Sequence, residues 1–180
     1  MDADNLEALR YPVGRPPREK RPLSTNERAA LVEVLERAPA ELRTLAADLP
    51  DAQLDRPYRP GGWTIRQVIH HLPDSHLNAY VRMKLAVTED APAIKTYEEA
   101  RWAELPEARS APIAMSLDLL DALHRRWTAF LRALPEASFA QAFLHPEWGR
   151  VSLDDALGMY AWHCRHHTAH VKLGIDALER

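Results

Sequence analysis

Four stretches of this chain repeat apolar side chains every three or four residues, which is the period of an amphipathic helix. Three of them open with a capping box, in which a hydroxyl side chain is followed three residues later by an acidic or amide side chain. The pairs are Ser24 with Glu27, Thr64 with Gln67, and Ser152 with Asp155. No segment shows a convincing strand pattern. The sequence therefore predicts an all-α fold, a four-helix bundle.

The predicted helices span about 24–49, 64–87 and 115–134, and the fourth begins at 152. Two of them contain a proline, Pro39 in the first and Pro73 in the second. An internal proline removes a backbone N–H and clashes with the carbonyl group four residues earlier. We therefore expect a bend near Leu35 and another at Pro73.

The first 23 residues have a different character from the rest of the chain. They contain four prolines and several basic residues, and they offer little apolar surface to bury. We expect an extended N-terminal arm over 1–23 and the helical bundle over 24–180. A chain of 180 residues has the usual length of one domain, so we expect a single domain.

Composition and charge exclude several classes of protein. The chain has 23 basic and 26 acidic residues and a net charge of −3, so no basic surface is expected to bind nucleic acid. It has no run of 18 apolar residues and no N-terminal signal-peptide pattern, which predicts neither insertion in a membrane nor export. The single cysteine, Cys164, fits a cytoplasmic protein and is expected to pack in the core.

Seven of the nine histidines lie in two short windows, one on the second predicted helix and one on the fourth. On the fourth helix, His163, His167 and His170 project within about 60° of one another on the face expected to be buried. His163 and His167 are one turn apart, a spacing at which two histidines can bind the same metal ion. Buried imidazoles are costly unless both ring nitrogens are engaged, and this favours a metal site over unrelated core residues.

The second helix supplies the third ligand that a tetrahedral catalytic site needs, with the fourth position left open. His71 lies at the inner edge of the apolar stripe of this helix, and His70 lies about 100° further round. His71 is the expected ligand, and His70 is its competitor. Three neutral histidines suit one divalent ion per subunit, with zinc preferred and nickel as the alternative.

Three further residues are candidates for the surroundings of the ion. Asp74 is either a solvated carboxylate, or an acceptor for a histidine N–H, or a base acting on water. His170 either lines the pocket or fills the core. His124 lies on the inward stripe of the third helix, where a hydrogen-bonded core histidine is favoured over a residue that reaches the cavity.

Several segments resemble the DinB/YfiT superfamily. They are residues 61–72, 74–76 and 162–170, with 11–14, 126–128 and 143–146 resembling its YfiT branch. The resemblance covers nearly the whole chain. It implies a four-helix bundle with one zinc or nickel ion per subunit, in a cytoplasmic homodimer. It also implies that His71, His163 and His167 are the metal ligands.

The resemblance implies a metal-dependent hydrolase in which the ion activates water against a small-molecule substrate. Related bundles imply an alternative, a metal-dependent S-transferase that uses a low-molecular-weight thiol such as bacillithiol. Both reactions need the same open metal site, so the sequence leaves both open. A third hypothesis is a bundle that binds a metal without catalysis, with His166 or His170 completing a closed set of ligands.

Overall fold

The computed structural model describes residues 3–17 and 21–177, and most of them are helical. In chain order the helices are α1 (Ala3–Arg10), α2 (Thr25–Ala46), α3 (Asp51–Leu54), α4 (Ile65–Thr88), α5 (Glu99–Trp102), α6 (Pro106–Ser110), α7 (Ile113–Ala133) and α8 (Leu153–Asp176). A 3₁₀ turn, Glu136–Ala140, precedes the strands β1 (Ala142–His145) and β2 (Gly149–Ser152). Helices α2 and α4 each pack against both α7 and α8. The predicted four-helix bundle is confirmed.

All three predicted capping boxes are present, with both reciprocal hydrogen bonds formed in each. They fix the starts of α2, α4 and α8, because each side chain satisfies backbone N–H groups that have no partner inside the helix. Helices α2 and α4 also run without interruption through Pro39 and Pro73. Three of the four long helices therefore begin where the sequence predicted.

The structure contains elements that the sequence did not predict, among them the short helices α3, α5 and α6 in the connections. The arm begins with the short helix α1 rather than as an extended segment throughout. Before α8 the chain forms an antiparallel hairpin of β1 and β2, in which buried Phe143 pairs with buried Val151. Each strand has only four residues, too few for a clear alternating pattern, and Gly149 adopts a positive φ of 66° where β2 begins.

The apolar core consists of two clusters separated by a layer of histidines. One cluster surrounds Leu35, Met83 and Trp127, and the other surrounds Leu42 and Ile65. Along α4, α7 and α8, buried or half-buried histidines lie between the core residues that belong to one cluster and those that belong to the other. The fold thus places most of its imidazoles at one level of the bundle. Within the described residues, no helix has the length and apolar character needed to cross a lipid bilayer.

Candidate metal centre

Three histidines from two facing helices converge at the level between the core clusters. His71 on α4 and His163 and His167 on α8 each offer a ring nitrogen within 4.8 Å of the other two. The Nε2 atoms of His71 and His163 are 3.3 Å apart. Two nitrogens bound to one tetrahedral zinc ion at the usual bond length are also separated by about 3.3 Å. The donor set and its spacing therefore fit one divalent ion.

Burial keeps these imidazoles neutral, which a metal ligand must be. It lowers the pKa of His71 to about 4. Burial, followed by the influence of the neighbouring histidines, lowers the pKa of His163 and of His167 well below the ordinary value. At neutral pH each ring therefore carries a single N–H, and its other nitrogen has a free lone pair.

A chain of hydrogen bonds determines which nitrogen of His163 is free. The carbonyl oxygen of Leu35 can only accept, so the Nδ1–H of His124 donates to it at 2.5 Å. The Nε2 atom of neutral His124 then accepts from Nδ1 of His76 at 2.7 Å. The Nε2 atom of His76 in turn accepts from Nδ1 of His163 at 2.9 Å. His163 is left with an unprotonated Nε2, the atom that faces His71.

Pro39 makes the Leu35 carbonyl available as the final acceptor of this hydrogen-bond chain. In an α-helix the carbonyl of Leu35 would accept from the N–H of residue 39, but proline has no N–H. The freed carbonyl lies in a buried part of α2 and needs a donor, and His124 of α7 supplies it. The internal proline, for which the sequence predicted only a bend, therefore provides an acceptor for the histidine layer.

A second chain fixes the tautomer of His167. The Nε2–H of His170 donates to the carbonyl of Arg10 at 3.2 Å. The Nδ1 atom of His170 then accepts from Nδ1 of His167 at 3.3 Å, and this leaves Nε2 of His167 unprotonated. Arg10 is the last residue of α1, where helix carbonyls lack partners in the helix. The N-terminal arm thus supplies the end of this chain.

The other predicted site residues lie apart from the three ring nitrogens. His70 contacts Ser116 Oγ at 2.7 Å and the carbonyl of Ala111 at 3.1 Å, so both of its ring nitrogens are engaged elsewhere. Asp74 is half-buried, and within the described residues no hydrogen bond joins its carboxylate to the three candidate ligands. Burial, together with the charge of Glu107, raises the pKa of Asp74 to about 6.

Sequence reasoning missed the role of His76, which is fully buried and links His124 to His163. His76 lies five residues beyond His71 on α4. Its partners come from α7 and α8, so only the tertiary structure reveals them. His76, His124 and Cys164 also form a group with close ligand atoms, but the two imidazoles bond to each other, and burial raises the pKa of the Cys164 thiol to about 12.

A third group lies beside the first and shares one member with it. His166, His167 and His170 offer ring nitrogens within 4.8 Å of one another. The His166 ring stacks on Trp162 with its centroid 4.2 Å away, and its Nδ1 atom is buried without a hydrogen-bond partner. Burial lowers the pKa of His166 to about 3, so this nitrogen carries no charge at neutral pH.

Comparisons with known proteins agree with this architecture. A sequence profile of the DinB superfamily matches residues 34–171. The Bacillus subtilis (strain 168) protein YfiT, provisionally named a metal-dependent hydrolase, is 47% identical over 165 residues, which cover 91% of this chain and 92% of that protein. A Bacillus cereus (strain B4264) protein with the same provisional name is 48% identical over 163 residues, which cover 91% and 93%.

The similarity extends to three dimensions. The solved structure of YfiT from Bacillus subtilis, described as a probable metal-dependent hydrolase with an unusual four-helix bundle topology, matches with a TM-score of 0.92. The two chains are 43% identical in this superposition, which covers 96% of this chain and 98% of the other.

Proposed function

Because the chain belongs to the DinB superfamily and resembles its member YfiT over nearly its full length, we propose that it is a metal-dependent hydrolase of small molecules. His71, His163 and His167 bind one divalent ion. The observation that carries this proposal is the pair of hydrogen-bond chains that leave Nε2 unprotonated on both His163 and His167. Hydrogen bonds that face away from a metal in this manner raise the basicity of its ligands and hold their rings in place.

A divalent ion held by three neutral histidines acts as a Lewis acid and lowers the pKa of a bound water to about 7. The protein's own side chains orient the ligands and offer a proton acceptor. His76 and His170 hold the rings of His163 and His167 in the ligand orientation. A candidate proton acceptor is Asp74, which lies three residues beyond His71 on α4 and whose pKa of about 6 suits a general base.

We assign zinc as the ion, one per chain, because an all-imidazole set of borderline ligands suits zinc. Nickel shares this preference and is the competitor. We also place the protein in the cytoplasm as a homodimer, in keeping with its single buried cysteine and its family. Elemental analysis of protein purified without added metal, combined with native mass spectrometry, measures the identity of the ion, its number and the oligomeric state together.

The ligand assignment is tested by metal content. We expect His71→Ala, His163→Ala and His167→Ala each to lose most of the bound ion, with His70→Ala as the matched control that retains it. His70 is equally buried but bonds to Ser116 and Ala111 instead. Full retention of metal in His71→Ala, with loss in His70→Ala, would show that the neighbouring histidine is the ligand.

The reaction class is tested with an activated ester such as 4-nitrophenyl acetate, in the presence and absence of bacillithiol. We expect metal-dependent release of nitrophenol without thiol, and loss of that release in His167→Ala. Turnover that requires the thiol and transfers the acyl group to sulfur would replace the hydrolase with an S-transferase. A pH profile for Asp74→Asn without the limb near pH 6 would support Asp74 as the base.

A closed, non-catalytic metal site is a second candidate, and the orphaned Nδ1 of His166 favours it. A fourth imidazole, from His166 or His170, would occupy the position that catalysis needs to be open. Cobalt-substituted protein distinguishes the two. An absorption spectrum that shifts when azide or a thiol is added supports an open site, whereas an unchanging spectrum supports a closed one.

A further inference from the structure

A buried arginine on α4 lacks the anionic partner that its burial calls for. The Arg82 side chain is only 9% exposed, and its Nη2 donates to the carbonyl of Lys95 at 3.0 Å. Among residues 3–17 and 21–177, no carboxylate lies within ion-pair distance of this guanidinium. A buried cation without a counter-ion is costly, so a site of this kind favours an anionic ligand.

Arg82 lines a cavity of about 870 Å³ that is bounded by α2, α8 and the hairpin. This volume is typical of cavities that bind small molecules. None of the three candidate metal ligands lines it. The cavity is therefore a space of its own, although Tyr160 of its wall lies with its ring 5.8 Å from that of His163.

A second hydrogen-bond donor faces the same cavity. His145 is buried at the end of β1, and its ring stacks on Trp148 with centroids 4.2 Å apart. Its Nδ1 accepts from the backbone N–H groups of Glu147 and Trp148, at 3.2 and 3.3 Å. Because Nδ1 is an acceptor, the proton of neutral His145 lies on Nε2, which can donate to a ligand.

Arg82, His145 and Tyr160 all line the cavity, and the charge of Arg82 acts on both of the others. Burial, followed by the positive charge of Arg82, lowers the pKa of His145. Burial raises the pKa of Tyr160, and the positive charge of Arg82 partly opposes this shift. The three side chains therefore present N–H and O–H donors to one part of the cavity wall.

The acidic residues of the wall are already engaged. Asp154 accepts from Arg28 Nε and Nη2, at 2.8 and 3.0 Å, and Asp155 accepts from the backbone of Ser152 as part of the α8 cap. The rest of the wall near the hairpin is largely apolar. It includes Leu31, Phe143, Trp148, Val151, Ala156 and Met159.

We propose that this cavity binds a small organic anion, with its carboxylate at Arg82 and His145 and its apolar body against the hairpin and α8. The guanidinium offers two parallel N–H groups to a carboxylate, which is a strong and directional form of recognition. The binding site is separate from the candidate metal centre and does not depend on the reaction proposed there.

Isothermal titration calorimetry with sodium octanoate as the probe tests this proposal. On the wild-type protein we expect octanoate to bind at least about tenfold more tightly than neutral 1-octanol, which has the same chain length. Equal or tighter binding of 1-octanol would overturn the proposal without the need for any variant.

Variants then locate the carboxylate. We expect Arg82→Met to weaken octanoate binding by about tenfold or more and to leave 1-octanol binding unchanged. Arg165→Met is the matched control, because Arg165 lines the same cavity but is exposed, and here we expect less than a threefold change. A folded Arg82→Met variant with wild-type affinity for octanoate would overturn the proposal.

One further variant separates this site from the metal centre. We expect His71→Ala to bind octanoate as the wild type does, whatever its metal content. Loss of octanoate binding in His71→Ala would mean that the carboxylate binds the ion, and it would overturn a separate anion site. Unchanged octanoate binding would support the separate anion site. This conclusion would hold even if the metal content of the variant showed that His71 is not a ligand.

Discussion

The buried histidines differ from one another less in their burial than in which ring nitrogen donates a hydrogen bond and which accepts one. His70 and His163 lie on different helices, and each engages ring nitrogens with neighbouring groups. Of these two, only His163, through the chain that begins at the Leu35 carbonyl, is left with an unprotonated nitrogen facing a second histidine. A buried imidazole becomes a candidate ligand when its other nitrogen must be the donor.

We expect His124→Phe to weaken zinc binding by roughly 10- to 100-fold, the usual effect of losing a group that supports a metal ligand. Without His124, the Nδ1 of His76 loses its acceptor and no longer determines the tautomer of His163. Competition with a chromophoric chelator measures the affinity.

The matched control for this prediction is His70→Phe. It replaces another buried histidine, one that has no bond to the cluster, and its zinc affinity is expected to equal that of the wild type. Equal losses in both variants would mean that His124 acts through general packing rather than through the hydrogen-bond chain.

The helical wheel could predict that the rings of His71 and of the pair on α8 point into the bundle, because residues on one face of a helix follow the 3.6-residue period. That these rings bind a metal stays a prediction. The sequence could not predict the link from His76 to His124, since it joins residues 48 positions apart on different helices. Nor could it show that His170 bonds to the arm, because that contact depends on where α1 lies.

In α2, the internal proline frees a carbonyl group that the histidine layer uses as a hydrogen-bond acceptor. Pro39 leaves the carbonyl of Leu35 without a partner inside the helix, and α7 packs so that His124 reaches it. Helix α2 accordingly supports the candidate metal centre although none of the three candidate ligands lies on it.

We expect Pro39→Ala to reduce zinc affinity severalfold although residue 39 is distant in sequence from every candidate ligand. The new N–H can donate to the Leu35 carbonyl and compete with His124 for it. Chelator competition measures the affinity, and circular dichroism checks that the fold is retained. Wild-type affinity in a folded Pro39→Ala variant would show that the carbonyl serves both donors equally well.

The contact between α8 and α4 is tight at Gly174, where an added Cβ would lie 2.7 Å from Ile65 Cγ1. Ile65 is fully buried and has little room to move. We expect Gly174→Ala to lower the free energy of unfolding by about 1–2 kcal/mol, since overpacking outweighs the gain in helix propensity. Urea denaturation measures the change.

Gly158→Ala on the same helix is the control, because an added Cβ there meets no atom within 4 Å. It should leave stability unchanged or raise it by up to about 1 kcal/mol. A stabilising effect at both positions would contradict a tight contact at Gly174.

Elements with local signals were predictable, and those without them were not. The capping boxes of α2, α4 and α8 are encoded within four residues each, so their starts were correct. The hairpin of β1 and β2 has no such signal. Its strands acquire a buried face by packing, β1 beside α4 and β2 beside α8, and sequence patterns do not record these contacts.

Across the whole molecule, the layer of neutral histidines makes stability depend on pH. Burial lowers the pKa of His71, His124 and His170 to about 4, against an ordinary value of about 6.5 in the unfolded chain. Between these values the unfolded state binds more protons than the folded state, so stability must fall as the pH falls.

We therefore expect the free energy of unfolding of metal-free protein to decrease steadily from pH 7 to pH 4. Each buried histidine contributes up to about 1.4 kcal/mol per pH unit. Asp74 and Glu99 act in the opposite direction, because their raised pKa values let the folded state take up protons first, but they are two groups against several. Urea denaturation across this range measures the slope, and a flat or rising profile would contradict the buried neutral histidines.

Both hydrogen-bond chains end on main-chain oxygens, those of Leu35 and Arg10. Mutagenesis therefore cannot remove these acceptors by changing a side chain. Replacing either residue by another amino acid leaves its oxygen where it was, so alanine scanning would report the loss of the side chain, which at Leu35 is a core side chain, and not the role of the oxygen. Two of the fixed points that orient the imidazoles would escape such a screen, and chemical synthesis with a weakened acceptor at these peptide groups would be the means of finding them.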